Sequence, residues 1–224
     1  MKIAILGNGK MGKRIIKLAK QKGHTIAIIS NSKKPTKSLN LNVADVAIDF
    51  STPDTAFENI SHSINSGIPV ISGTTGWLDR LKEINTLCKK KNGAFLYSSN
   101  FSLGVNIFFQ LNEQLAELIK KYDYKTKIHE IHHCQKLDSP SGTAITLAEQ
   151  INKILKSETK ITSERTNNTI GIHKINHTSK IDQIEIKHTA KNRDGFAVGA
   201  IMAAEWIKDK KGIYNMKDVL EENR

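Results

Sequence analysis

The sequence predicts an α/β protein: a doubly wound parallel sheet joined to a smaller α+β domain with a mixed sheet. Three observations carry that reading. Up to Phe101, short apolar strands alternate with stretches of helical periodicity. The first strand runs straight into a glycine-rich turn and a helix. From Tyr124 the pattern turns β-rich around one embedded helix, before small residues of helical character return near Phe196.

Lys2 to Leu6 is an apolar strand, followed by Gly7-Asn8-Gly9-Lys10-Met11-Gly12 and then Met11, Ile15, Leu18 and Ala19 at helical spacing, with Gly23 as the stop. Strand, G-x-G-x-x-G turn and helix together form the dinucleotide-binding fingerprint of Rossmann-type sheets. Gly7 permits the tight turn, Gly9 lets a pyrophosphate approach the backbone, and Gly12 lets helix and strand pack closely. His24 to Ser30 is the second strand. It runs into Asn31-Ser32-Lys33-Lys34, with no acid to bond the adenosine ribose hydroxyls. Lys33 and Lys34 suit a 2′-phosphate, which leans the expected cofactor from NADH to NADPH.

Val46 to Ser51 is a third strand, and Pro53 opens a helix that ends near Gly67. Pro69 to Ser72 is a fourth strand ending in Gly73-Thr74-Thr75-Gly76, at the strand end where α/β sheets bind ligands. A helix from Trp77 to Lys90 leads to a fifth strand, Ala94 to Tyr97, and to the turn Ser98-Ser99-Asn100-Phe101. Ser102 to Lys121 reads as a long helix with Leu103, Ile107, Leu111, Leu115 and Leu118 on one face. Beyond it, Lys125 to Ile131, Lys160 to Arg165, Thr169 to Ile175 and Ile181 to His188 read as strands. Phe196 to Ile207 is a small-residue helix suited to close packing on a sheet. The domains expected are therefore 1–101 with 194–224, and 102–193.

Composition narrows the function classes. The 224 residues carry a formal net charge of +12 from 34 Lys and Arg against 22 Asp and Glu. The basic residues are overwhelmingly Lys, with Arg only at 14, 80, 165, 193 and 224, and no aromatic-interleaved basic patch is present. That pattern argues against a nucleic-acid reader and fits a surface that attracts anionic small molecules. No apolar run is long enough to span a bilayer. Cys88 and Cys134 lie far apart, outside any metal-spaced pair, and there is no signal peptide. Both facts place the expected chain in the cytoplasm.

The chemistry concentrates in Glu130-Ile131-His132-His133-Cys134-Gln135-Lys136-Leu137-Asp138-Ser139-Pro140-Ser141-Gly142-Thr143-Ala144. A strand precedes it, and Thr143 to Leu155 follows with the period of an amphipathic helix. Asp138 to Thr143 is then a loop delivering the chain to a helix N-terminus, whose unpaired N–H groups seat a carboxylate or phosphate. His132, His133 and Lys136 stand at the mouth of that seat. The same stretch contains His129-Glu130-Ile131-His132-His133, a match to the H-E-x-x-H zinc signature. That chemistry needs a helix; on a strand His129 and His133 lie about 13 Å apart, at roughly 3.3 Å per residue, so no metal is expected.

Glu130 to Ala144 resembles the E-x-H-H-x-x-K-x-D-x-P-S-G-T-A signature of the 4-hydroxy-tetrahydrodipicolinate reductase family, enzymes of bacterial diaminopimelate and lysine synthesis. The glycine turn, Gly73 to Gly76, Asn100 to Asn106, His188 to Arg193, Phe196 to Trp206 and Tyr214 to Leu220 support the likeness over nearly the whole chain. The resemblance implies reduction of a small cyclic dicarboxylate by NADPH or NADH, in a homotetramer joined through the sheets of the substrate domain. By its motifs His132 is the catalytic acid/base, Lys136 the proton donor and His133 a substrate contact, while Gly142 and Thr143 hold a substrate carboxylate. Gly7 to Gly12 (with Asn8, Lys10 and Met11), Gly73, Thr74, Thr75, Ser98, Ser99, Asn100 and Phe101 line the cofactor, alongside Lys33. Arg165 and Gly171-Ile172-His173 match further family positions without an assigned role. The reading from a different class is a Rossmann protein that senses NAD(P)H without turnover.

Overall fold

The computed structural model describes residues 1–136 and 138–222; Leu137, Asn223 and Arg224 lie outside the described residues. The chain divides into two compact units, one of Met1–Ser102 with the segment from Phe196 onward, the other of Leu103–Gly195. Among the described residues no helix is long and apolar enough to cross a membrane.

The first unit holds β1 (Lys2–Leu6), α1 (Lys10–Gln21), β2 (Thr25–Ser30), β3 (Val46–Asp49), α2 (Pro53–Asn65), β4 (Val70–Ser72), α3 (Leu81–Lys90) and β5 (Ala94–Tyr97). The segment from Phe196 onward adds two helices and a sixth strand to it, described below. Ile3 to Leu6 and Val46 to Ile48 are almost completely buried, as strands covered on both faces must be. Two apolar layers result. One contains Ile3, Ile5, Ile48, Ile71 and Leu96, and the other contains Ala4, Leu6, Ala47, Val70 and Phe95. Helix α2 starts where the sequence asks, with Pro53 in its first turn and Thr52 and Thr55 forming a reciprocal cap.

The second unit contains α4 (Leu103–Ile119), β6 (Lys125–His133), α5 (Gly142–Leu155), β7 (Lys160–Thr166), β8 (Gly171–Thr178) and β9 (Gln183–Ala190). Its sheet runs β7-β6-β8-β9; β6 and β7 are parallel, and the β6–β8 and β8–β9 pairs are antiparallel. Phe108 of α4 and Ala144, Leu147, Ala148 and Ile151 of α5 pack on Ile128 and Ile175. The helix face expected from Leu103, Ile107, Leu111, Leu115 and Leu118 is not the buried one: Leu115 is half-buried, and the other four lie on the open side. Those four are 42%, 54%, 43% and 72% exposed, while Val105, Phe108, Asn112, Ala116 and Ile119 face inward. Asn112 is tolerated there because its amide donates to the Leu147 carbonyl and to Gln150.

The chain closes with α6 (Asp194–Ile207), β10 (Gly212–Tyr214) and α7 (Met216–Glu222). The six strands of the first unit order as β10-β5-β4-β3-β1-β2, all parallel, so the strand order reverses between β1 and β3. In open α/β sheets ligands bind at such a reversal, beyond the strand C-termini. The small residues of α6 allow close approach: a Cβ at Gly199 would stand 1.7 Å from the Phe101 carbonyl oxygen.

Candidate active site

Strand register builds the polar cluster of the second unit. Ile128 on β6 stands opposite Ile161 of β7 and Ile175 of β8. Two residues on, Glu130 stands opposite Ser163 and His173, and two further on His132 stands opposite Arg165. Period-two alternation puts all of these on one sheet face. The isoleucine row is the floor of the core under α4 and α5. The next row is polar, and it is equally deep: Glu130 is 0% exposed, His173 4% and His132 7%.

A buried charge must be paired and hydrogen-bonded, and Glu130 is both. Its Oε1 accepts from the Ser141 backbone N–H at 3.0 Å, from Ser163 Oγ at 2.8 Å and from the Arg165 guanidinium at 3.3 Å. Its Oε2 faces two imidazoles, with His132 Nδ1 at 3.2 Å and His173 Nε2 at 3.8 Å. Burial alone would raise the Glu130 carboxyl. Hydrogen bonding to His132, Ser141 and Ser163 outweighs it and holds the group well below the usual carboxylate range. His173 goes the other way: burial, helped by neighbouring His132, pushes it down to about 3. It is therefore a neutral ring at pH 7, set edge-on to His132 with centroids 5.0 Å apart and 3.2 Å from Ser141 Oγ.

Ser141 also caps α5, its Oγ accepting from the Ala144 N–H. One side chain and its own backbone thus tie the helix N-terminus to Glu130 and His173. In front of that terminus, Asp138 accepts from Lys136 Nζ at 2.8 and 2.9 Å. Burial would raise the Asp138 carboxyl, but Lys136 and the Gly142 backbone N–H hold it below its ordinary value. Arg165 closes the loop from behind by donating to the Asp138 carbonyl at 2.7 Å. Gly142 is exposed and Thr143 buried. His133 is separate. It is one residue past His132, so it points to the other face, where Arg193 approaches its Nε2 at 3.1 Å. A cleft of about 350 Å³ opens there between Cys134, Asn168 and Arg193.

Among the described residues, Glu130, His132 and His173 form the group able to offer three metal-ligand atoms, all within 4.8 Å of one another. A cation there would share its carboxylate with the Arg165 guanidinium. The H-E-x-x-H pair is no part of it: His129 lies on the opposite face, bonded to Thr162 and near Glu164.

In the first unit a cleft of about 780 Å³ opens beyond the ends of β1, β2 and β3. Gly7, Asn8, Gly9 and Lys33 line it, with Lys13, Lys37, Ser30, Thr36 and Thr52. Gly7 has φ +108°, and a Cβ there would meet the Phe50 carbonyl at 2.2 Å; a Cβ at Gly12 would meet the Gly7 carbonyl at 2.0 Å. Gly9 has open space in front of it and begins α1 without a side-chain cap or an acid in the first turn. The α1 N–H groups are thus left for an anion. Lys10, Met11, Gly73 to Thr75 and Ser98 to Phe101 do not line this cleft. Lys10 is exposed, Met11 packs against the core, and the Phe101 ring is buried against Phe50.

Beneath the turns lies Asp49, 0% exposed at the end of β3. It accepts from Ser51 Oγ (2.6 Å), Asn59 Nδ2 (3.0 Å), Ser72 Oγ (2.8 Å) and Thr74 Oγ1 (2.7 Å). Burial raises its carboxyl, and these four neutral partners pull it back only in part. Thr74 Oγ1 also accepts the Ser51 N–H, so the turns after β3 and β4 are held as one piece.

A family model described as dihydrodipicolinate reductase, N-terminus, matches residues 1–101, and one described as dihydrodipicolinate reductase, C-terminus, matches residues 104–220. The 4-hydroxy-tetrahydrodipicolinate reductase of Christiangramia forsetii is 50% identical over 235 residues, covering 99% of this chain and 98% of the relative. The chain belongs to the dihydrodipicolinate reductase family. The 4-hydroxy-tetrahydrodipicolinate reductase of Archaeoglobus fulgidus is 38% identical, over 80% of this chain and 76% of its own. The fold is shared with a dipicolinate-bound dihydrodipicolinate reductase from Paenisporosarcina sp. TG-14, with a TM-score of 0.78 at 21% identity over 97% and 98% of the two chains.

Within this dihydrodipicolinate reductase chain, sequence reasoning and geometry diverge at definite places. His132, Lys136, Gly142 and Thr143 come from one continuous stretch, and their elements form as expected. Glu130, Ser163, Arg165 and His173 received no role from the sequence, because register alone brings β7 and β8 to β6. The signal that was available was parity: Glu130 and His132 are two apart on a strand, hence on one face. Asp49 was likewise visible as the one charged residue in an otherwise apolar strand.

Proposed function

We propose that this chain catalyses the NAD(P)H-dependent reduction of 4-hydroxy-tetrahydrodipicolinate (dihydrodipicolinate) to tetrahydrodipicolinate, in diaminopimelate and lysine biosynthesis. The observation that carries this reading is His132 in its setting. Its Nδ1 faces an ionised buried carboxylate at 3.2 Å, and a lysine and a helix N-terminus stand on the same short stretch, in a chain of a reductase family.

When bound, NAD(P)H supplies a hydride to the ring carbon of a conjugated C=C–C=N system. His132 or Lys136 delivers the balancing proton at the far end of that system, a contribution typically worth about 10²–10⁴-fold. Lys136 exchanges Asp138 for a substrate carboxylate, and the Gly142 and Thr143 N–H groups hold that carboxylate at the start of α5. His133, beside Arg193, is a further substrate contact. The glycine turn fits a dinucleotide, since the α1 N-terminus is open and the backbone is bare at Gly9. Gly73 to Thr75 and Ser98 to Phe101 add to the cofactor site. Lys13, Lys33 and Lys37 line the cleft with Glu58 as its acid, which supports NADPH over NADH. The chain assembles as a homotetramer through the sheets of its second unit, whose β7 and β9 edges are open to pairing. Its free thiols, Cys88 and Cys134, suit the cytoplasm.

The test is the loss of absorbance at 340 nm from NADPH and NADH with enzymatically generated 4-hydroxy-tetrahydrodipicolinate. Substrate-dependent oxidation is expected, with higher kcat/KM for NADPH. Folded protein that binds NADPH but oxidises neither cofactor would replace this reading with a sensor. Near-native turnover in both His132→Ala and Lys136→Ala would overturn the assignment of the proton.

A further inference from the structure

Glu130 is oversupplied with partners for a residue that only fills a core. Three donors fix Oε1, from β7 (Ser163 and Arg165) and from the start of α5 (Ser141). That leaves Oε2 facing the β6 and β8 imidazoles, 3.2 Å from His132 Nδ1 and 3.8 Å from His173 Nε2; among the described residues neither Oε2 nor His132 Nδ1 makes a hydrogen bond elsewhere. His173, kept neutral by burial, bonds to Ser141 and brings no competing charge. Lys136 and His188 also act on His173. The opposite edge of His132 is bounded by a glycine: a Cβ on Gly171 would stand 3.1 Å from Nε2. The ring is therefore gripped at Nδ1 and left clear at Nε2.

We propose that Glu130 is a positioning residue for His132, fixing the imidazole in the Nδ1–H tautomer so that Nε2 is the nitrogen that exchanges a proton with the substrate. Ser163, Arg165 and the Ser141 N–H keep the carboxylate in place and charged for that task, and His173 is the neutral wedge that stops the two rings from turning. This rests on the reductase reading for its consequence, though not for its geometry. A carboxylate behind a histidine selects which nitrogen carries the proton: Nε2 gives its proton to the substrate, the ring is left as the neutral Nδ1–H tautomer, and Nε2 is then reprotonated from solvent.

The experiment has two arms. Nitrogen-15 NMR of the wild-type protein, with His132 assigned by loss of its signals in His132→Gln, reads the tautomer directly and needs no activity. The Nδ1–H form is expected; a neutral Nε2–H ring, or a zinc ion bound stoichiometrically at Nδ1, overturns the proposal. The kinetic arm compares Glu130→Gln in two backgrounds. In the wild type, kcat falls by about 10²-fold, the lower end of what a placed general acid supplies, while KM for substrate and cofactor stays within about twofold. In His132→Ala the same change costs under about threefold, because the group it positions is gone. An equal loss in both backgrounds assigns Glu130 to the scaffold alone. If wild type shows no reductase turnover, the function fails while the NMR arm still decides the tautomer.

Discussion

Each unit buries one carboxylate completely, and the two are handled in opposite ways. Asp49 sits under the turns after β3 and β4 among three hydroxyls and an amide, all neutral, and burial wins: its carboxyl is raised. Glu130 sits under the α5 N-terminus with a guanidinium, a backbone N–H and an imidazole, and burial loses: its carboxyl is lowered. Depth is therefore not what sets the charge of a buried acid. The number and sign of the groups around it do so. Asp49 ties two turns together and has no need of full charge. Glu130 must remain an anion, because its partners include a cation and a ring nitrogen.

The sharpest way to break this contrast is the isosteric amide. Asp49→Ala and Glu130→Ala should each cost about 3–5 kcal/mol in urea unfolding, since both strand several buried donors. Asp49→Asn should cost only about 1 kcal/mol, because a neutral group replaces one already pushed toward neutrality. Glu130→Gln should cost about 2–3 kcal/mol by leaving Arg165 uncompensated. Equal costs for the two amides would erase the distinction.

Acid titration probes the same difference with a definite sign. His173 has a folded value depressed to about 3 against an ordinary imidazole value of 6.5, so the unfolded chain binds the extra proton. Stability is then full above about pH 6.5 and falls as pH drops toward 3, by up to about 1.4 kcal/mol per pH unit. Glu130, also depressed, adds loss in the same direction below its unfolded value. Asp49, raised, acts oppositely, its contribution lost as pH rises through its folded value. Urea midpoints at pH 7, 5.5 and 4.5 should fall steadily, and His173→Gln should flatten the slope between the first two. A slope unchanged in that variant would remove His173 from the account.

Smaller effects sharpen the comparison between the two clefts. Gly171→Ala puts a methyl against His132 Nε2 and should lower kcat about tenfold, roughly 1.4 kcal/mol in barrier, without moving KM for NADPH. Lys33→Ala should do the reverse, raising KM for NADPH about fivefold, near 1 kcal/mol, and leaving NADH unaffected. Steady-state kinetics with both cofactors reads each. Cross-talk, with Lys33→Ala lowering kcat for NADH, would show that the lysine does more than meet a phosphate.

The sequence carried the parts of the molecule that depend on local chemistry. Pro53 and Thr52 mark a helix start, Gly7 and Gly12 mark backbone contacts, and the apolar runs of β1 and β3 mark strands buried on both sides. The end of β6 was readable to within two residues, His132 and His133 extending the strand beyond Ile131. A parallel sheet and a mixed one were readable, but which strands of the second unit pair, and in what register, was not. Arg165 lies 35 positions from Glu130 and reaches it only through register. The face of α4 misled for a related reason. A leucine stripe marks a possible buried surface, but the strands available to cover it lie against the Phe108 side.

The rows across the second sheet have a consequence for how this surface can change over generations. Core, charge cluster and His132 follow one another at two-residue steps along β6, at Ile128, Glu130 and His132, all on one side. Lys127, His129 and Ile131 occupy the reverse side and touch none of that machinery. A lineage is free to rewrite these three, though not His133 beyond them, retuning whatever meets that side, while the even ones stay frozen. Loss or gain of a single residue within the strand swaps the two sets, so substitutions are tolerated there and length changes are not.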